Sequence, residues 1–318
     1  MRQTSIGTTC SGEHFEAEAE RIRVRSIQRP WNLAEAQDYC RTWAKKQYEN
    51  FGVVSLLLPR SIRQDFYNVY AYCRWSDNLS DEVDSREKSL HLLREWENDL
   101  AHCHPDSGAT PSHPILIANR DTIERRHLDV TCYRDLLVAF RQDRDVNRYD
   151  SQQAVLDYCR YSANPVGRII LGLAGSNSSE NDRLSDLICT GLQLANFCQD
   201  MSRDAAINRI YAPKSLWKAH GVTEKMILAA RPTNELRAML KQWVGETKPF
   251  FENGKPLVRN VPKWLSADLE LFIAGGSAIL HQIEKANFDV WTGRPTVSKW
   301  HKARLFGAVL FRKLIPGS

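Results

Sequence analysis

Gln193-Leu-Ala-Asn196-Phe-Cys-Gln199-Asp200-Met-Ser-Arg203-Asp204 decides the reading of this chain. Asn196, Asp200 and Asp204 recur every fourth residue, so on a helix they lie one turn apart on one side, with Gln193 three residues earlier. This polar strip follows the apolar run Leu184–Leu194. Polar groups that enter a helical core are costly unless they are paired or liganded. A second carboxylate pair lies far upstream, in Tyr67-Asn-Val-Tyr70-Ala-Tyr72-Cys-Arg74-Trp-Ser-Asp77-Asn78-Leu-Ser-Asp81-Glu82. Asp77 and Asp81 again share a helix side, with Arg74 and Tyr70 one and two turns before them. Either pair alone also fits a solvated helix face. Two strips on separate helices, facing each other across a bundle, suit a cluster of Mg²⁺ ions held against a diphosphate. Mg²⁺ takes oxygen ligands and keeps waters and phosphate oxygens in its shell.

Outward from these stretches, helical periods dominate and strand signals are almost absent. Helices are predicted over 33–50, 61–83, 85–103, 112–126, 130–145, 151–174, 179–208, 213–230, 233–252, 263–290 and 296–314, with Pro and Gly at their stops. The expectation is an all-α chain, with one catalytic domain over 30–318. Residues 1–29 are polar and charged without helical periodicity, and read as a loose extension.

Of the 318 residues, 42% are hydrophobic and 25% charged, which suits a globular chain with a sizeable core. A net charge of +5 without a basic, aromatic-interleaved block argues against nucleic acid as a partner. The eight cysteines form no C-x-x-C pair and read as reduced, mostly buried thiols. His102, Cys103, His104 and His113 flank a Pro/Gly-rich loop. Neighbouring His-Cys-His side chains cannot all face one point on a helix, so solvated histidines are expected there and not zinc. No apolar leader and no run of about 18 apolar residues occurs, so a cytoplasmic protein is expected. The basic, amphipathic tail Val297–Leu314 reads as the last core helix or as a surface that touches the inner face of a membrane.

The two acidic motifs, in order with Asn50-Phe51, Tyr158-Cys-Arg-Tyr161-Ser-Ala-Asn164-Pro-Val-Gly167, Asn208-Arg-Ile-Tyr-Ala-Pro213 and Arg294-Pro-Thr-Val-Ser298, resemble the squalene/phytoene synthase family from about Trp31 to about Phe311. The resemblance implies an isoprenoid-synthase helical bundle around a central apolar channel. It implies Mg²⁺ held by Asp77, Asp81, Asn196, Asp200 and Asp204, with the four aspartates, Tyr158 and Tyr161 in catalytic positions. It also implies substrate contacts from Asn50, Phe51, Tyr70, Arg74, Gln193, Asn196, Arg209, Asn164, Gly276 and Arg294. From spacing alone, the tyrosines read as core packing and Asn164-Pro165 as a helix kink.

The departures from the family pattern narrow the resemblance. A basic residue of the family is Glu49 here, a second acid is Asn78, and an aromatic near the channel falls at Gly275-Gly276. These features resemble the hydroxysqualene synthases of hopanoid pathways, which ionise presqualene diphosphate and quench the cation with water. That reading expects no NADPH, an isoprenoid diphosphate substrate, and handover to partner enzymes of the pathway. It takes Gly275 and Gly276 as open space for water or a bulky substrate, with close helix packing as the alternative. A condensing head-to-head synthase and an inactive helical assembly factor are the rival readings. The presence of all four aspartates speaks against the second.

Overall fold

The computed structural model describes residues 10–47 and 58–297. Among them every regular element is helical, apart from one isolated parallel bridge between Arg148 and Ile210. The chain divides after Asp145 into two compact units.

The first unit holds α1 (Cys10–Gln28), α2 (Leu33–Gln47), α3 (Arg63–Asp81), α4 (Arg86–Ala101), α5 (Pro114–Arg126) and α6 (Val130–Asp145). The described part of the expected loose extension is corrected here: 10–28 is helical. Phe15 and Ile22, two turns apart, are buried, and the Phe15 ring meets Trp75 edge-on at 5.0 Å. Helix α2 opens with a reciprocal cap, in which Asn32 Oδ1 accepts from Glu35 N–H and Glu35 Oε2 from Asn32 N–H.

Helix α3 packs against α2, α4, α5 and α6 and carries a buried polar ladder. Asn68 Nδ2 donates to Thr122 Oγ1 and to the Ala118 carbonyl. Buried Asp65 accepts from both Arg125 and Arg126. Such pairing is what permits a carboxylate in a core.

The expectation of solvated histidines fails at His113. This residue caps α5, its Nδ1 accepting from Ile115 N–H at 3.2 Å. Its ring lies 4.6 Å from Trp75 and 4.8 Å from Trp96, and Nε2 is shut off from solvent. Burial pushes its pKa from 6.5 down to about 3. The unfolded chain therefore takes up a proton near pH 6.5 that the folded ring refuses until about pH 3, so this group erodes stability as pH falls through that window. Between pH 8 and pH 5 the expected loss is about 2 kcal/mol. Urea unfolding at the two pH values should show that loss, and His113→Gln should lack it whatever its absolute stability.

The second unit holds α7 (Gln152–Ser162), α8 (Asn164–Leu173), α9 (Ser179–Ala206), α10 (Lys214–Ala219), α11 (Glu224–Leu228), α12 (Asn234–Gly254) and α13 (Lys263–Lys285). The predicted helix 151–174 is two helices. The chain breaks at Ala163, with φ −125° and ψ −47°, because Pro165 lacks the N–H that would bond back across this point and its ring crowds the carbonyl four residues earlier, while it fits the first turn of the next helix. The long α9 lies against α7, α8, α12 and α13. Leu184 and Ile188 on its inner side pack with Leu171, Leu257, Leu265 and Leu269.

Candidate active site

In the first unit, Asp77 and Asp81 stand at the C-terminal end of α3. The Arg74 guanidinium reaches Asp77 Oδ2 at 2.8 Å and Glu82 Oε1 at 3.5 Å. Asp81 is exposed, while Asp77, Arg74 and Glu82 are partly buried. Burial raises the pKa of Glu82 above its ordinary value; Arg74 opposes that, and the Asp77 and Asp81 charges add to it. Several acids are thus crowded at one helix end, with the Arg74 guanidinium against two of them. Tyr70, two turns back, is partly buried beside Tyr67 and Ala44. Asn50 and Phe51 lie outside the described residues.

In the second unit, α9 carries the other strip. Gln193 and Asn196 are partly buried, Asp200 keeps 13% of its side chain exposed, and Asp204 is buried. Arg294 grips Asp200 at both oxygens, Nε to Oδ1 at 2.6 Å and Nη2 to Oδ2 at 2.8 Å. The contact with Asp200 raises the arginine's pKa further. Sequence reading missed Gln199. Its buried amide accepts from Arg294 Nη2 at 2.8 Å and donates to the Pro295 carbonyl at 2.5 Å, tying the 294–295 segment to α9. Its place beside Asp200 is visible in the sequence, but its partners 95 and 96 residues away are not.

The other expected residues fall as follows. Tyr158 is buried in a ring cluster with Tyr149, Phe197 and Tyr211, in which Phe197 and Tyr211 stack at 3.9 Å. Tyr161 is partly buried, with Arg160 5.6 Å from its ring centre. Asn164 Oδ1 accepts from Thr190 Oγ1 at 3.0 Å, joining α8 to α9. Arg209 is partly buried just past α9, its N–H donating to the Asp204 carbonyl at 2.8 Å.

The reading of Gly276 as open space is corrected. A Cβ there would lie 2.3 Å from Phe251 Cζ and 3.1 Å from Leu192 Cδ2, whereas nothing lies within 4 Å of one at Gly275. Gly276 permits close approach of α13 to α12.

The donors in both units suit a hard divalent cation. They are carboxylate and amide oxygens, and at Asp200 and Asp77 a guanidinium already stands as the countercharge. No three His, Cys, Asp or Glu side chains converge to hold an ion by themselves among the described residues. An ion whose shell is completed by waters and phosphate oxygens does not need such a convergence.

A squalene/phytoene synthase family model matches residues 44–301. The chain belongs to the squalene/phytoene synthase family. The hydroxysqualene synthase of Zymomonas mobilis is 37% identical over 181 residues, which cover 56% of this chain and 59% of that protein's own length. The 15-cis-phytoene synthase of Synechococcus elongatus is 27% identical over 85% of this chain and 91% of its own. Among solved structures, the squalene synthase HpnC of Alicyclobacillus acidocaldarius superposes with a TM-score of 0.76 at 37% identity, covering 83% of this chain and 98% of that one. The all-α fold of this family member is therefore the squalene synthase fold. A dehydrosqualene synthase with a TM-score of 0.74 at 22% identity shares that fold.

Proposed function

We propose that this family member converts presqualene diphosphate and water to hydroxysqualene and diphosphate. The observation that carries this reading is the 37% identity to a hydroxysqualene synthase and to HpnC, against 27% to a phytoene synthase. The C–O bond to the diphosphate breaks with its electron pair on the leaving group. The cyclopropylcarbinyl cation rearranges, water oxygen bonds to the carbon, and the water's proton departs.

Asp77 and Asp81 in the first unit, and Asn196, Asp200 and Asp204 in the second, would hold Mg²⁺, which would neutralise the charge that builds on a departing diphosphate. Arg294 and Arg74, already beside the acids, add fork-shaped donors that match phosphate oxygens. Arg209 supplies a further cation past the end of α9. No reductant enters the balance, so NADPH is not required.

The lipid substrate makes peripheral contact with the inner face of a membrane, and handover to partner enzymes of the squalene and hopanoid route, part of the same proposal. No described helix is long and apolar enough to cross a membrane. A condensing head-to-head prenyl synthase is the second reading, supported by the fuller length match to phytoene synthase.

Mass spectrometry of products from presqualene diphosphate with Mg²⁺ and no NADPH separates the two. Hydroxysqualene is the expected product. Squalene formed on adding NADPH, or turnover of farnesyl diphosphate alone, would overturn the first reading.

A further inference from the structure

The turn that leaves α9 is held by an arginine outside both acidic motifs. Asn208 adopts a left-handed φ of +60°, between Asp204 in the last turn of α9 and Arg209. All three guanidinium nitrogens of Arg148 are engaged around it. Nη1 donates to the Asn208 carbonyl at 2.6 Å and to the Asn147 carbonyl at 2.8 Å. Nη2 donates to Asn208 Oδ1 at 2.7 Å, and Glu224 Oε1 accepts from Nη2 at 2.6 Å and from Nε at 2.9 Å. The side chain is only 12% exposed. Alongside it, Ile210 N–H donates to the Asn147 carbonyl at 3.0 Å and Lys214 N–H to the Tyr149 carbonyl at 2.8 Å, so segment 147–150 is laced to 210–215.

Two of these five hydrogen bonds hold Asn208, at its carbonyl and at its side chain, and the bonds to Glu224 hold the guanidinium in place, so the arginine clamps the turn. Left-handed backbone is unfavourable for any residue but glycine, and asparagine keeps it when something local holds it. The residue so held is followed directly by Arg209, whose N–H is anchored on the Asp204 carbonyl.

We propose that Arg148, braced by Glu224, is a positioning residue. It fixes Asn208 in its left-handed turn and thereby aims Arg209, with the last turn bearing Asp204, at the diphosphate. The inference rests on the reading of this strip as the metal–diphosphate site.

The test compares the unaltered protein, Arg148→Met, and Arg148→Met combined with Asn208→Gly. Calorimetry reads binding of inorganic diphosphate in Mg²⁺, and circular dichroism follows folding. Arg148→Met should weaken diphosphate binding by about 10- to 100-fold, as loss of a supporting partner commonly does at metal sites. Asn208→Gly should restore most of that loss, since glycine takes the left-handed turn unaided. Unchanged binding in Arg148→Met would overturn the proposal. So would a loss that Asn208→Gly leaves unrepaired in a folded protein, because Arg148 would then act by contact or by general stability. Should Arg148→Met fail to fold, Glu224→Gln loosens the clamp with the arginine in place. A smaller loss in the same direction supports the proposal, and no loss refutes it. Failure of the unaltered protein to bind diphosphate in Mg²⁺ would remove the site reading itself, and the clamp's role with it.

Discussion

Asp200→Ala is expected to lower turnover of presqualene diphosphate by about a thousandfold while leaving the fold intact. The carboxylate is expected to hold Mg²⁺ against the leaving diphosphate, and metal stabilisation of such charge amounts to several kcal/mol, each 1.36 kcal/mol being about tenfold in rate. The substitution also leaves Arg294 without the two-oxygen partner it grips at 2.6 and 2.8 Å. That guanidinium is a third exposed, so water can take over its hydrogen bonds and the cost to folding stays small. Asp81→Ala, at an exposed position in the other unit, should show a loss of similar order. Steady-state rates beside circular dichroism make the measurement, and near-normal turnover by either folded variant would sink the metal assignment.

Gly276→Phe is expected to prevent normal folding, and Gly276→Ala to destabilise by about 1–3 kcal/mol, as over-packing of a filled core does. The reason is the Phe251 ring. Its nearest atom lies 2.3 Å from where a Cβ would stand, and a second ring atom lies at 2.8 Å. A ring fixed on α12 cannot yield as the end of a flexible chain would. Gly275→Ala is the control. Nothing lies within 4 Å of its Cβ, and alanine in place of glycine in a helix interior gains up to about 1 kcal/mol. Denaturant unfolding of the three variants should order them as Gly275→Ala most stable, Gly276→Ala weaker and Gly276→Phe unfolded. A stable Gly276→Phe would show that the contact with Phe251 gives way and reopen the reading of space at this position.

Local periodicity made most helices legible. The i,i+4 spacing of Asp77 with Asp81, and of Asn196, Asp200 and Asp204, needs only the helix pitch to place each set on one side. The break before Asn164 was visible as Pro165, yet a kink and a full stop look alike until the backbone is seen. Helix α1 escaped notice because its buried Phe15 and Ile22 are diluted by a charged surface. Phe15 packs on Trp75, 60 residues away in the chain. His113 was misread for the same reason, since the tryptophans that desolvate it come from α3 and α4.

The amino-acid sequence alone determined that this chain is helical, that it carries two acid strips, and that it resembles one family of diphosphate-ionising enzymes. Those properties are written in residue type and in spacing within a turn or two. Tertiary structure alone decided which cation meets which acid and where glycine means contact instead of space. Arg294 reaches Asp200 across 94 residues, Arg148 reaches Asn208 across 60, and Phe251 fills the gap at Gly276. Such pairings are set by the packing of whole helices, which fixes distances that no short-range pattern encodes.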